Sequence, residues 1–330
     1  MQRTMRALVA TGFGEPAEVL ALRETAVPEP PPRAALVRVR AAGVNFADAM
    51  LVRGSYQVKP SLPFIAGAEI AGEVVACGVQ STQCVGERVA AQVLGFGAYA
   101  EYTIVEDRRA IRVPAQWSWE EAAGFPVASI TAELSLDAAN ELHARDVVVV
   151  HGAAGAVGLA AVELAKLRGC IVVALARTEE RRALARAHGA DHTLDPGPPD
   201  WWREVLRITD GAGAAAVIDP VGGETSIASL RCLAWRGCLS VVGFASGAPA
   251  KIPANLLLVK AQSVRGIYWA YGRDDARLEK IQGRLEQYAA SGHLRPVLGR
   301  QFTLAEGAEA FLEAESGRSS GKITIRMSED

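Results

Sequence analysis

Apolar and polar residues follow one rhythm in the first part of this chain and another in the rest. Up to about residue 125 the apolar positions come in short runs. Leu36-Val37-Arg38-Val39-Arg40 alternates apolar and charged side chains, the period-two pattern of a half-buried strand. Residues 73–76, 88–91 and 99–105 read as further strands, with turns rich in Gly and Pro between them. Pro28-Glu29-Pro30-Pro31-Pro32 is an extended connector. Many short strands separated this way predict a small barrel or sandwich.

From about Ala122 helix and strand patterns alternate. A helix over 131–140 precedes the four valines Val147–Val150, whose unbroken apolar run suits a buried parallel strand. Residues 159–168 read as a helix and 171–175 as a second buried strand. A helix over 179–188 is stopped by Gly189, where a left-handed residue commonly ends a helix. A short strand at 192–194 and a helix over 200–209, with Asp200 as its N-cap, come next. Strands at 215–219, 239–243 and 263–268 bring the number to six, which predicts a doubly wound parallel α/β sheet. Helices over 276–291 and 304–316 and a last strand at 322–326 are expected to rejoin the first part. That reading makes residues 1–126 and 269–330 one discontinuous domain and 127–268 the other.

The chemistry is densest at Gly152-Ala153-Ala154-Gly155-Ala156-Val157-Gly158, between the valine strand and an alanine-rich helix. Glycines let a backbone approach a pyrophosphate closely, and the unpaired N–H groups of a helix start face its oxygens. Strand, glycine turn, helix and second strand together predict a dinucleotide site, with the pyrophosphate on residues 154–157. NAD-specific sheets end their second strand on an acidic residue. Here that end reads Leu175-Ala176-Arg177-Thr178, with Arg181 one turn later. Two guanidiniums without a carboxylate favour the 2′-phosphate of NADPH, although Glu179 and Glu180 lie close by. His151, inside the turn, reads as a structurally satisfied histidine and not as a catalytic one.

Composition narrows the remaining classes. Of 330 residues, 50% are hydrophobic and 22% charged, with a net charge of −2, as in an ordinary globular enzyme. No basic stripe points to nucleic acid, and no apolar run approaches the roughly 20 residues of a membrane span. The N-terminus leads into a strand without the apolar core of a signal peptide. Five cysteines, an odd number without a CxxC pair, are expected to be free thiols in a reducing compartment. The expected location is therefore cytoplasmic.

Several segments in order carry a wider likeness. They are 43–48, 53–56 and 63–72, then Tyr99-Ala100-Glu101-Tyr102, the glycine turn, and Asp219-Pro220-Val221-Gly222-Gly223. Val242-Gly243-Phe244-Ala245-Ser246-Gly247 and Ser320-Gly321-Lys322 complete the series. With these the chain resembles the zinc-free quinone oxidoreductase (zeta-crystallin-like) branch of the medium-chain dehydrogenase/reductase superfamily over essentially its whole length. The resemblance implies a Rossmann domain plus a discontinuous GroES-like β-barrel domain, with the acceptor bound between them. It implies nicotinamide contacts near Asn45, Thr131, Gly243, Phe244 and Tyr268, further cofactor contacts at Val221, Ala245 and Lys322, and an acceptor pocket at Tyr56. A homodimer paired edge to edge through residues 263–268 is also implied.

By the same resemblance, the catalytic zinc ligands of the metal-containing relatives would fall at Asn45, Ala68 and Val127. None is a usual zinc ligand, though Glu69 stands beside Ala68, and no four-cysteine lobe lies between residues 85 and 120. No metal is therefore expected. Hydride delivered to an isolated carbonyl puts full charge on one oxygen and benefits from a Lewis acid. A quinone or enone spreads that charge, so hydrogen-bond donors can suffice; Asn45 and Tyr56 are the candidates. Asp48, three residues after Asn45 at a helix start, reads as a capping or orienting residue. Pro196 replaces a tyrosine that some relatives place near the adenosine phosphate, and Met50 and Glu133 stand where others have aromatics. The expectation is an NADPH-dependent, zinc-independent reductase of quinones or related conjugated acceptors. The alternatives are an enoyl-thioester reductase, with Tyr56 as proton donor, and an NADPH-binding protein of negligible turnover.

Overall fold

The computed structural model describes residues 3–93, 96–139 and 141–327. The chain forms two compact units, residues 1–127 with 295–330 and residues 128–294.

The first unit is built of short strands, as the alternation suggests. Leu20–Ala26, Thr4–Ala10 and Phe64–Ile65 form a three-stranded sheet. A seven-stranded sheet runs in the order Leu298–Thr303, Lys322–Arg326, Ala34–Gly43, Glu69–Cys77, Arg88–Gln92 and Ala110–Arg112, with Tyr102–Glu106 also paired to Ala34–Gly43. Its apolar side packs Val37, Val39, Ile70, Val74, Val89, Tyr99 and Phe311 into one core. The terminal strand lies antiparallel to Ala34–Gly43 with Thr324 opposite Gly43. This register carries Lys322 to the place where the chain leaves the sheet for the Phe46–Val52 helix.

The second unit holds a six-stranded parallel sheet in the order His192–Leu194, Ile171–Leu175, Val147–Val150, Ala214–Asp219, Leu233–Val241, Ser263–Gly266. In chain order this is 3-2-1-4-5-6, the doubly wound arrangement that opens a crevice beyond the ends of its first and fourth strands. Val148, Val149, Val150, Val172, Val173, Val217 and Ile218 are buried, which accounts for the unbroken apolar runs. Ser263–Gly266 is the sheet's edge strand and stops two residues short of Tyr268.

Residues 269–294, assigned by pattern to the first domain, lie in the second unit. The Asp275–Ala290 helix buries Leu278, Ile281, Leu285 and Ala289, and ion pairs tie it to the Pro126–Ala138 helix. Glu133 is buried in the Pro126–Ala138 helix and needs positive partners, supplied by Arg284 of the Asp275–Ala290 helix at 2.8 Å and by Arg168 at 2.9 Å. Asp137 joins both arginines, and Trp269 Nε1 donates to Thr131 Oγ1 at 3.1 Å. The helix expected from Asp200 spans Trp202–Ile208, and Asp200 does not cap it. Trp201 takes that position and packs edge-on against the His151 ring. Asn140, the expected end of an earlier helix, lies outside the described residues. No described helix is long and apolar enough to cross a membrane.

Candidate active site

In the second unit the glycine turn sits at the carboxyl end of the first sheet strand. Gly152 adopts φ +56°, a left-handed conformation that favours glycine, and Gly155 forms the N-cap of the Ala156–Leu167 helix. A Cβ on Gly158 would lie 2.3 Å from the Gly152 carbonyl oxygen, so only glycine lets the helix start this close to the strand. The turn is tied to its neighbours: His151 N–H donates to Ile218 O and Ala153 N–H to Leu175 O. A Cβ on Gly152 would meet Pro220 and Val221, which puts the turn beside the next loop. That loop is organised by buried Asp219, which accepts from the Val221 and Gly222 N–H groups and from the Ser226 hydroxyl. Ala245 N–H donates to Pro220 O, bringing Gly243, Phe244 and Ala245 against Val221.

The second-strand end leads into a capped helix. Thr178 N-caps the Glu179–Ala187 helix and accepts from Arg181 N–H, and Arg177 is exposed. Arg182, which the pattern did not single out, donates to Ala176 O and so secures the end of the strand. Glu179 pairs with Arg186 and Arg182, which hold its carboxyl below the usual range. His151 is buried; Nε2 donates to Ser229 Oγ at 2.8 Å, whose own hydrogen goes to Thr225 O. Burial pushes its pKa down, so it is a satisfied neutral histidine.

The first unit contains a different assembly. Asn45 ends the extended segment before the Phe46–Val52 helix, and Asp48 Oδ2 accepts its backbone N–H at 2.9 Å, closing the helix start. Asp48 is buried, and Tyr99 donates its hydroxyl to the same oxygen at 2.8 Å. Burial raises the Asp48 carboxyl to about 6 against the opposing pull of the Asn45 N–H, Tyr99 and Lys322. The Tyr99 hydroxyl is pushed well above its usual value by burial and by Asp48.

The Asn45 amide is bound on both sides. Its Nδ2 donates to Glu69 Oε1 at 2.9 Å and lies 3.4 Å from Asp48 Oδ2, while Oδ1 accepts from Lys322 Nζ at 2.8 Å. Lys322 also forms a buried ion pair with Glu69, whose other oxygen accepts the Val127 N–H at 2.9 Å. Glycines leave the necessary room: a Cβ on Gly43 would lie 2.6 Å from Glu69 Oε1, and one on Gly124 2.9 Å from Lys322 Cγ. Asn45 and Lys322, 277 residues apart in sequence, thus meet. Tyr56 lies half-buried in the loop after the Phe46–Val52 helix, packed against the core. The sequence marks Glu69 only as a neighbour of Ala68 and assigns Tyr99 no role; the signals it holds are Gly43 and Gly124, and Gly67, where a Cβ would lie 2.6 Å from the Tyr99 ring.

These residues do not fit a zinc ion. Ala68 offers no side-chain donor, Val127 gives its N–H to Glu69, and the cation among them is an ammonium. Among the described residues no three His, Cys, Asp or Glu side chains are grouped to hold a metal.

A nucleotide-type sheet and a discontinuous β unit define a two-domain dehydrogenase or reductase. Residues 31–115 match the alcohol dehydrogenase GroES-like domain, and residues 156–282 match the family described as zinc-binding dehydrogenase. Quinone oxidoreductase-like protein 2 of Rattus norvegicus is 36% identical over 329 residues, covering 98% of this chain and 93% of the relative. A quinone oxidoreductase of Pseudomonas aeruginosa is 34% identical, with 95% and 97% of the two chains covered. Among solved structures, a Pseudomonas syringae quinone oxidoreductase superposes with a TM-score of 0.88 at 30% identity, covering 98% and 99% of the chains. A mycobacterial protein complexed with NADPH reaches a TM-score of 0.90 at 30% identity, covering 98% and 99%. The chain belongs to the quinone oxidoreductase-like branch of the medium-chain dehydrogenase/reductase superfamily and is an oxidoreductase.

Proposed function

We propose that the protein is an NADPH-dependent, zinc-independent reductase of quinones or related α,β-unsaturated carbonyl compounds, acting as a homodimer. The observation that supports this reading is the buried Lys322–Glu69 pair on Asn45, beside positions 68 and 127 that carry only Ala and Val side chains. Without a Lewis acid, charge left on the acceptor must be small or shared, and a conjugated acceptor shares it. NADPH supplies the hydride. The backbone N–H groups of residues 154–157 hold its pyrophosphate, with Gly152, Gly155 and Gly158 allowing the approach. Arg177 and Arg181 pair with the 2′-phosphate. Val221, Gly243, Phe244, Ala245, Thr131 and Tyr268 orient the rest of the cofactor, and Asn45 and Tyr56 serve the acceptor. The open Ser263–Gly266 edge, with exposed Tyr268, Leu258 and Val259 close to it in sequence, suits pairing with a second copy.

Initial rates of NADPH and NADH oxidation, with a quinone panel beside a crotonyl-thioester, test the assignment. Quinone reduction favouring NADPH by about tenfold or more is expected from one charge-assisted contact. Activity confined to the thioester would replace the acceptor class, and a preference for NADH would refute the role of the arginines. Sedimentation velocity should give a dimer.

A further inference from the structure

We propose that Lys322 is the resident cation of the first unit's site. Its ammonium stands in for a divalent metal and, together with Glu69, sets the orientation of the Asn45 amide. It is a positioning residue, buried and paired with Glu69 where the resemblance implies a cofactor contact, and this role rests on the reductase reading above.

Burial gives the first reason. Lysine and glutamate are seldom fully buried unless paired, yet Lys322 is 2% exposed and Glu69 0%. Removing both charges from water is costly, so the pair is weak evidence for stability and calls for another role. Convergence gives the second. Asn45 Oδ1 accepts from Lys322, while Glu69 accepts from Asn45 Nδ2 and from the Val127 N–H, so the pair ties Asn45 to the start of the Pro126–Ala138 helix. Lys322 thus has a carboxylate oxygen and an amide oxygen as its partners, the kind of oxygens a hard cation takes.

The consequence for Asn45 is specific. A primary amide can be turned over at little steric cost, because its O and NH2 ends are nearly the same size. Here one end faces an ammonium and the other a carboxylate. Turning it over would set N–H against N–H and oxygen against oxygen. The ion pair therefore selects one orientation through charge, and Asp48 secures the backbone of the same residue. The room left by Gly43 and Gly124 belongs to this arrangement, since a Cβ at either position would press on Glu69 or Lys322.

The test removes both charges together, with Glu69→Gln and Lys322→Met in one protein, so that neither partner is left buried alone. Thermal melting checks folding, and NADPH fluorescence checks cofactor binding. We expect NADPH affinity and KM for a quinone to change less than about threefold. The kcat should fall by about 10²-fold, the scale of a misplaced reacting group. Asn45→Ala should lower kcat alone but add nothing in the charge-free background, because the two act as one unit. Wild-type kcat in the charge-free protein, or losses that multiply with Asn45→Ala, would overturn the positioning role. If that protein fails to fold, Lys322→Arg, which keeps a cation with different geometry, takes its place with the same readouts.

A second arm uses the wild-type protein and Zn2+ alone, in competition with a chromophoric chelator. No withdrawal of zinc from the chelator is expected, whereas stoichiometric retention would overturn the resident cation. This arm needs no turnover, so it is decided even if the reductase reading fails. A wild-type protein that oxidised no NADPH with any acceptor would refute that reading, and the positioning role with it.

Discussion

The two halves of the molecule prepare for chemistry by opposite means. In the second unit the glycine turn relies on backbone: Gly152, Gly155 and Gly158 shape a helix start, and no charged side chain lies within residues 152–158. In the first unit Asn45, Asp48, Glu69, Tyr99 and Lys322 form a buried cluster of side chains with three ionisable charges. A backbone site costs little to assemble, since helix-start N–H groups lack intrahelical partners in any case. A buried charged cluster is costly, and its parts depend on one another. The first kind suits holding a cofactor common to many enzymes. The second suits fixing one amide in one orientation.

That contrast breaks most sharply at Lys322. Lys322→Met leaves Glu69 in the core without its cation, held only by the Asn45 amide and the Val127 N–H, and chemical denaturation should show a loss of about 3–5 kcal/mol. A loss below about 1 kcal/mol would mean that the pair is solvated.

Asp48 is next. Its carboxyl is raised to about 6 from an ordinary value near 4, so between those values the folded protein binds more protons at this site than the unfolded chain. Stability from this group is thus highest at low pH and falls as pH rises through that window, by on the order of 3 kcal/mol at about 1.4 kcal/mol per pKa unit. Carboxylates held low by arginines, such as Glu106 and Glu121, push the other way, so the difference between wild type and Asp48→Asn is the quantity to measure. A difference that does not vary between pH 4 and 6 would count against the assignment.

Gly158→Ala probes the backbone side. Its new methyl would meet the Gly152 carbonyl oxygen and Ala153 Cα, neither of which can rotate away. A stability loss of about 1–3 kcal/mol is expected, with calorimetry showing weaker NADPH binding. The smallest effect is reserved for the exposed strand end: Arg177→Ala and Arg181→Ala should each lower NADPH affinity by about tenfold and leave NADH affinity unchanged.

The same contrast explains which parts could be read without a structure. Strand, glycine turn, helix and second strand follow one another within about 30 residues, so the glycine turn and the sheet around it were legible from local pattern. The 269–294 segment groups with the second unit, where its helix buries Leu278, Ile281 and Leu285 and Arg284 pairs with Glu133, and such long-range contacts leave no local pattern. Trp201, packed edge-on against His151, holds the cap position expected of Asp200, a contact between residues 50 apart that leaves no local pattern. The cluster around Asn45 was only half legible. Asn45 and Lys322 could each be named by resemblance, but their meeting depends on the register of Lys322–Arg326 against Ala34–Gly43. The pairing of Lys322 with Glu69 across 253 residues left no local trace.

We propose that this site works with the Lys322 ammonium and without a metal. The direct measurement is NADPH oxidation by a quinone in chelator-treated protein whose zinc content has been determined. Undiminished turnover in zinc-free protein, with no gain on adding Zn2+, is expected. Turnover lost on chelation and restored by stoichiometric Zn2+ would contradict it.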